Sequence, residues 1–199
     1  MILLLKGLQR VGSHIKKNGT VVRQYSRIVR DADKFAERAH AGQFRSALPG
    51  ASPAPYITHP RAVASVLREA GIHDSKTIAA ALLHDTIEDT GTTRDRLAAL
   101  FGDDVADTVV EVTNSPFSTR DEKAAMQVEK ARRMSARASA VKMADKIANL
   151  RDIVRNPPNW DAARKRRYFD DAKSMIDAMR EPHPVLRCIF DTVYSNGVD

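Results

Sequence analysis

Apolar residues recur every three or four positions along most of the chain, the spacing of one face of a helix with about 3.6 residues per turn. The pattern predicts helices over 26–41, 60–70, 75–89, 93–101, 104–113, 120–134, 138–154, 161–180 and 183–194. No segment carries a convincing strand pattern, so the expected class is all-α. Punctuation supports these divisions. Pro60 falls in a first helical turn behind Thr58 and His59, Thr92 and Thr93 precede a run that stops at Gly102, and Pro182 closes the penultimate helix. Pro49, Gly50, Pro53 and Pro55 make 46–55 a loop. Residues 1–25 show little periodicity and read as a loosely attached leader, which leaves 26–199 as one domain.

Composition narrows the class. The 199 residues are 43% hydrophobic and 29% charged, the balance of a soluble globular protein. A single cysteine, Cys188, allows neither an internal disulfide nor a thiolate metal site, which suits a reducing compartment. The apolar runs 2–5 and 78–83 are far shorter than the roughly 20 residues that span a bilayer. The first six residues are too brief for a secretory signal. A cytoplasmic protein with no membrane partner is expected. Lys and Arg number 32 against 25 Asp and Glu, a net charge of +7 that favours nucleic acid, phosphorylated metabolites or an anionic surface. These cations are spread along the chain, as on an ordinary solvated surface.

The most informative stretch is Ile78-Ala-Ala-Ala-Leu-Leu-His84-Asp85-Thr-Ile-Glu88-Asp89-Thr90. Its first half is apolar nearly all round, which places it in an interior. At about 100° per residue, its second half sets His84, Asp85, Glu88 and Asp89 within an arc of roughly 140°, in line with Ile78 and Ala81. One histidine beside an aspartate is commonly a hydrogen-bonded core residue, and an acidic helix end is commonly solvated. Four ionisable groups on a buried face are another matter, because each unpaired buried charge costs several kcal/mol. Three carboxylates at a helix C-terminus also oppose the macrodipole, by about 0.3–1 kcal/mol each. A divalent cation would answer both penalties.

Adjacent residues on one helix cannot encircle an ion, so further ligands must come from elsewhere. His59 lies at a helix start before Val63, Val66 and Leu67, and Asp145 shares an apolar stripe with Val141, Ala144 and Ala148. His14, His40, His73 and His183 lack such settings and read as structural or surface residues. Two imidazoles and two carboxylates suit Mn²⁺ or Fe²⁺, and allow Zn²⁺ or Co²⁺. Four protein ligands leave about two positions of a six-coordinate ion for water and a substrate oxygen.

His59, His84-Asp85 and the distant Asp145 resemble the metal-binding pattern of the HD superfamily of phosphohydrolases, an all-α fold. The segments around them are similar to the hydrolase domain of RelA/SpoT-type alarmone enzymes: Pro55-Tyr-Ile-Thr-His-Pro, Ala80-Ala-Leu-Leu-His-Asp-Thr-Ile-Glu-Asp-Thr, Phe101-Gly-Asp-Asp-Val-Ala, Glu111-Val-Thr and Lys142-Met-Ala-Asp-Lys-Ile-Ala-Asn-Leu-Arg-Asp. The resemblance covers about residues 30–195. Trp160, Arg164, Tyr168 and Phe169 resemble the C-terminal part of the small single-domain members, of which the metazoan SpoT homologue is one.

The resemblance implies one Mn²⁺ per chain and removal of the 3′-pyrophosphate from guanosine tetra- and pentaphosphate, the alarmones of the stringent response. It implies metal ligands at His59, His84, Asp85 and Asp145, and a role for Glu88 and Asp89 in positioning or deprotonating the attacking water. It also implies substrate contacts at Arg45, Arg120, Asn149, Arg164 and Tyr168. Ser46 departs from the pattern: the family usually carries Lys there, and the loop that follows is about three residues longer than usual, so one phosphate contact is expected to be missing. A chain of 199 residues leaves no room for the synthetase and regulatory domains of long bifunctional members, so alarmone synthesis is not expected.

Two rivals remain at this stage. The same site could act on another nucleotide phosphate, such as the 2′-phosphate of NADPH. A basic helical protein that binds nucleic acid would need an exposed basic face without buried carboxylates, which Asp85 and Asp145 contradict. The sequence leaves the oligomeric state open.

Overall fold

The computed structural model describes residues 19–45, 52–114 and 119–198, with side chains from residue 27 onward. Among the described residues the helices are α1 (Gly19–Ala39), α2 (Thr58–Glu69), α3 (Ser75–Leu83), α4 (Thr86–Asp89), α5 (Arg94–Phe101), α6 (Asp103–Val112), α7 (Arg120–Ala131), α8 (Ala136–Arg155), α9 (Ala162–Asp177) and α10 (Pro184–Val198). No strand forms among them; the only extended pairing is an isolated antiparallel bridge between Phe44 and Pro55.

Local chemistry sets most of these boundaries. Side chains of Asp74, Thr93, Ser135 and Asp161 accept hydrogen bonds from the first-turn amides of α3, α5, α8 and α9. Thr119 and Glu122 form a reciprocal capping box at the start of α7. Gly102 stops α5 at φ 86°, a left-handed conformation that side chains with a Cβ resist.

Helix α3 is the axis of the molecule. All its residues from Thr77 to Leu83 are buried, as its all-round apolar character requires. It packs against α1, α2, α6 and α8, and α8 in turn carries α2, α6 and α10. The side chains of Leu67, Ile78, Leu83, Met143, Ile147 and Leu150 are fully enclosed. Two helices of this core, α3 and α8, therefore deliver His84 and Asp145 to its edge, and α2 delivers His59.

Two expectations need correction. The first helix begins at Gly19 rather than at 26, so part of the expected leader is helical; residues 1–18 lie outside the described residues. Ser46, and the loop through residue 51, lie outside them as well. The single helix expected over 75–89 is two. His84 Nδ1 donates to the carbonyl of Ala81 at 2.8 Å, and Thr86 Oγ1 donates to that of Leu83 at 2.7 Å. Side chains thus satisfy the last carbonyls of α3, the chain tightens at His84-Asp85, and α4 starts afresh. Glu88 and Asp89 consequently lie in the first turn of α4 and are exposed, not on a buried face beside His84.

Candidate active site

His59 of α2, His84 at the end of α3 and Asp145 of α8 are all buried, and one ligand atom from each lies within 4.8 Å of the others. Asp145 Oδ1 is 3.2 Å from His59 Nε2 and 3.8 Å from His84 Nε2. Asp85 adjoins the cluster: its Oδ2 is 3.0 Å from His84 Nε2 and 3.7 Å from His59 Nε2. The chain thus brings together the four residues whose pattern suggested a metal, with His59, His84 and Asp145 as the tight core of the group.

The donor set fits a divalent cation. His84 Nδ1 is committed as a donor to Ala81, which leaves the Nε2 lone pair facing two carboxylate oxygens, and Nε2 has no hydrogen-bond partner. A lone pair pressed against two anions in a buried site requires a cation between them, either a proton or a metal. Burial opposes the imidazolium, but Asp85 and Asp145 outweigh it and push His84 up to about 9. Burial likewise resists ionisation of Asp145, yet the Lys142 ammonium and the two imidazoles hold its carboxyl well below the usual range. Asp85 is held below that range by His84, again against burial.

A surrounding layer fixes these side chains. Lys142, fully enclosed in α8, places Nζ 3.3 Å from Asp145 Oδ2 and 3.3 Å from the carbonyl of Val112. Asn149 Nδ2 donates to Asp145 Oδ1 at 2.6 Å, and Tyr56 OH donates to Asp85 Oδ2 at 2.7 Å. Tyr56 packs on His40, ring centroids 4.7 Å apart. His40 is buried with Nδ1 2.7 Å from Gln43 Oε1, and Gln43 Nε2 donates to the carbonyl of Asp89. Lys142, Tyr56 and this role of His40 were absent from the sequence reading. The spacing of Lys142 three residues before Asp145, and of Tyr56 three before His59, was the available signal.

The expected substrate residues fall into two groups. Arg45 donates to Asp152 Oδ2 at 2.6 Å and reaches Asn149 Oδ1 at 3.4 Å, which links it through Asn149 to Asp145. Arg120, Arg164 and Tyr168 line a neighbouring pocket of about 270 Å³ between α7, α8 and α9. Arg120 pairs with Asp171 at 3.0 Å, and the Arg164 guanidinium lies 4.7 Å from the Trp160 ring centroid. Trp160 and Tyr168 rings are 5.5 Å apart. Burial, with Asp145 nearby, pushes the Tyr168 hydroxyl up to about 12, so it stays a donor at neutral pH.

Glu88 and Asp89 occupy the rim. The Glu88 carboxylate accepts from the backbone amide of Asn114 at 2.9 Å and from its side-chain amide at 3.0 and 3.1 Å. It therefore faces α6 rather than the His–His–Asp cluster. Partial burial and the charge of Asp85 raise Asp89 above the ordinary carboxylate value, which brings it nearer the range of a useful general base.

Known proteins resemble this chain in sequence and fold. The profile of the HD domain matches residues 32–170. Guanosine-3′,5′-bis(diphosphate) 3′-pyrophosphohydrolase MESH1 of Xenopus tropicalis is 37% identical over 169 residues, covering 84% of this chain and 93% of its own. The human MESH1 protein is 42% identical over 152 residues, 75% of this chain and 83% of its own. A solved structure of a metazoan orthologue of SpoT, described as hydrolysing ppGpp and playing a role in starvation responses, superposes with a TM-score of 0.78 at 34% identity, covering 86% of this chain and 97% of the other. With its buried histidine–aspartate cluster on three core helices and these relatives along most of its length, the chain belongs to the HD-domain family that includes the MESH1 proteins.

Proposed function

We propose that the protein is a metal-dependent guanosine-3′,5′-bis(diphosphate) 3′-pyrophosphohydrolase, with Mn²⁺ held by His59, His84, Asp85 and Asp145. The observation that carries this reading is the juxtaposition of an unpartnered His84 Nε2 among carboxylates with a cation-rich, aromatic-walled pocket next to it. The relatives' activity agrees with that chemistry. When bound, the ion supplies Lewis-acid neutralisation of a phosphoryl oxygen and acidifies a water.

The protein's own groups do the rest. Trp160 and Tyr168 provide flat faces for a base or ribose, and Arg120 and Arg164 provide charge for phosphates. Asn149 and Lys142 hold Asp145, and Tyr56 holds Asp85, so that the ligand cluster keeps one geometry through turnover. Asp89, with Glu88 beside it, takes the proton from water. The water oxygen bonds to the phosphorus next to the ribose, the bond from that phosphorus to O3′ breaks, O3′ gains a proton, and pyrophosphate departs with GDP or GTP left behind.

The test is a substrate panel: purified protein with Mn²⁺ against guanosine tetraphosphate, NADPH and ordinary nucleoside triphosphates, with pyrophosphate and orthophosphate measured separately. Pyrophosphate from guanosine tetraphosphate is expected. Orthophosphate from NADPH with nothing from guanosine tetraphosphate would move the site to the 2′-phosphate substrate.

A further inference from the structure

The pocket between α7, α8 and α9 gathers four cations, Arg120, Lys123, Lys146 and Arg164, against one carboxylate, Asp171. Like charges crowded into a cleft raise its potential and draw in an anion. The cations differ in how they are satisfied. Arg120 is paired with Asp171, and Arg164 is spread over Trp160. Lys146 is half-buried, and its hydrogen bond goes to a neutral group, Gln127 Oε1 at 3.2 Å. Among the described residues no carboxylate oxygen lies within 4.0 Å of its Nζ. An ammonium has three donors, so two remain for a ligand.

Position in the helix gives this cation a direction. Lys146 follows Asp145 on α8 and so projects about 100° further around the axis. Asp145 supplies one atom of the ligand cluster, and Lys146, the next residue, lines the adjoining pocket. A nucleotide with diphosphates on two carbons of one ribose has the same layout: one charged group reacts, and the second sits one sugar away.

We propose that Lys146 is a specificity-determining residue that grips the diphosphate that is not cleaved, and so selects nucleotides phosphorylated at two ribose positions over those phosphorylated at one. This rests on the alarmone hydrolase reading above. Gln127 sets the ammonium in place, and Trp160 and Tyr168 hold the nucleoside between the two anionic ends.

The experiment compares wild type, Lys146→Met and Lys146→Arg, metal-loaded, on guanosine 3′,5′-bis(diphosphate) and on guanosine 3′-diphosphate. Lys146→Met is expected to raise KM for the first substrate by about 10–30-fold, the scale of one charge-assisted hydrogen bond. Its effect on the second substrate is at least fivefold smaller, kcat moves far less than KM, and Lys146→Arg recovers most of the loss. Equal effects on both substrates, or a loss confined to kcat, would overturn the proposal. Calorimetric binding of GDP and of guanosine separates this from the parent reading. GDP binding weakens about tenfold in Lys146→Met while guanosine binding holds, if one charged contact is lost. Unchanged GDP affinity overturns the role of Lys146 even if guanosine tetraphosphate is hydrolysed. No pyrophosphate from wild type would instead sink the alarmone reading, and the GDP comparison would still decide Lys146.

Discussion

Replacing Lys142 by Met probes the electrostatics of the site, because the substitution keeps a flexible apolar stem of nearly the same length and removes the ammonium, together with its hydrogen bond to the Val112 carbonyl. Lys142 Nζ lies 3.3 Å from Asp145 Oδ2, and both groups are buried. At an effective dielectric of about 20 that separation corresponds to an attraction of about 5 kcal/mol. Removing one member of a buried pair costs about 3–5 kcal/mol in general, since it strands the other charge. Asp145 keeps the Asn149 amide at 2.6 Å and His59 Nε2 at 3.2 Å, so the expectation is the lower end, about 3 kcal/mol. Urea unfolding of the metal-free proteins reads this directly: with a slope of about 2 kcal/mol/M, the midpoint falls by about 1.5 M. Metal loading narrows the gap, because a divalent cation facing Asp145 replaces the missing charge. A loss below about 1 kcal/mol without metal, or an identical gap with and without it, would refute the claim that Lys142 neutralises Asp145.

Metal affinity depends on pH through His84. Its folded value near 9 means that an ion must displace a proton at neutral pH, so affinity rises with pH by up to about tenfold per unit and flattens above 9; calorimetry at pH 6.5, 7.5 and 8.5 showing no trend contradicts the assignment. Asp89→Asn is expected to lower kcat by about 10²–10⁴-fold while metal affinity holds, measured by steady-state kinetics beside metal titration; loss of the metal would make Asp89 a ligand. Away from the site, a Cβ on Gly197 would lie 1.9 Å from Cε1 of the fully buried Phe169. Gly197→Ala therefore overpacks the contact between α9 and α10 by about 1–3 kcal/mol, partly offset by about 1 kcal/mol of helix propensity, and a melting temperature unchanged or raised would contradict the packing.

Much of this was legible in the sequence for a physical reason. Asp145 stands on an alanine and valine stripe, where a carboxylate is intelligible only with a partner, and the all-apolar start of α3 marks it as the central helix. The break at His84-Asp85 was not legible, because helical periodicity continues through it; only the side-chain hydrogen bonds of His84 and Thr86 to the preceding carbonyls end the helix. The macrodipole argument against Glu88 and Asp89 fails for the same reason, since they open α4 instead of closing α3. Lys142 and Lys146 were passed over because lysine ordinarily reads as solvated surface, and burial against specific partners is a tertiary property. His40 read as structural, and it does pack in the interior, but its contact with Tyr56 ties it to Asp85 beside the histidine–aspartate cluster.

The central claim is that the histidine–aspartate cluster holds an ion that the pyrophosphohydrolase reaction needs. It is tested by following pyrophosphate release from guanosine tetraphosphate in three samples: wild type stripped of metal, wild type reloaded with Mn²⁺, and His84→Ala with Mn²⁺. The account predicts one pyrophosphate per GDP in the reloaded wild type alone, with His84→Ala folded but unable to bind the ion. Full turnover by the stripped protein or by His84→Ala would contradict it.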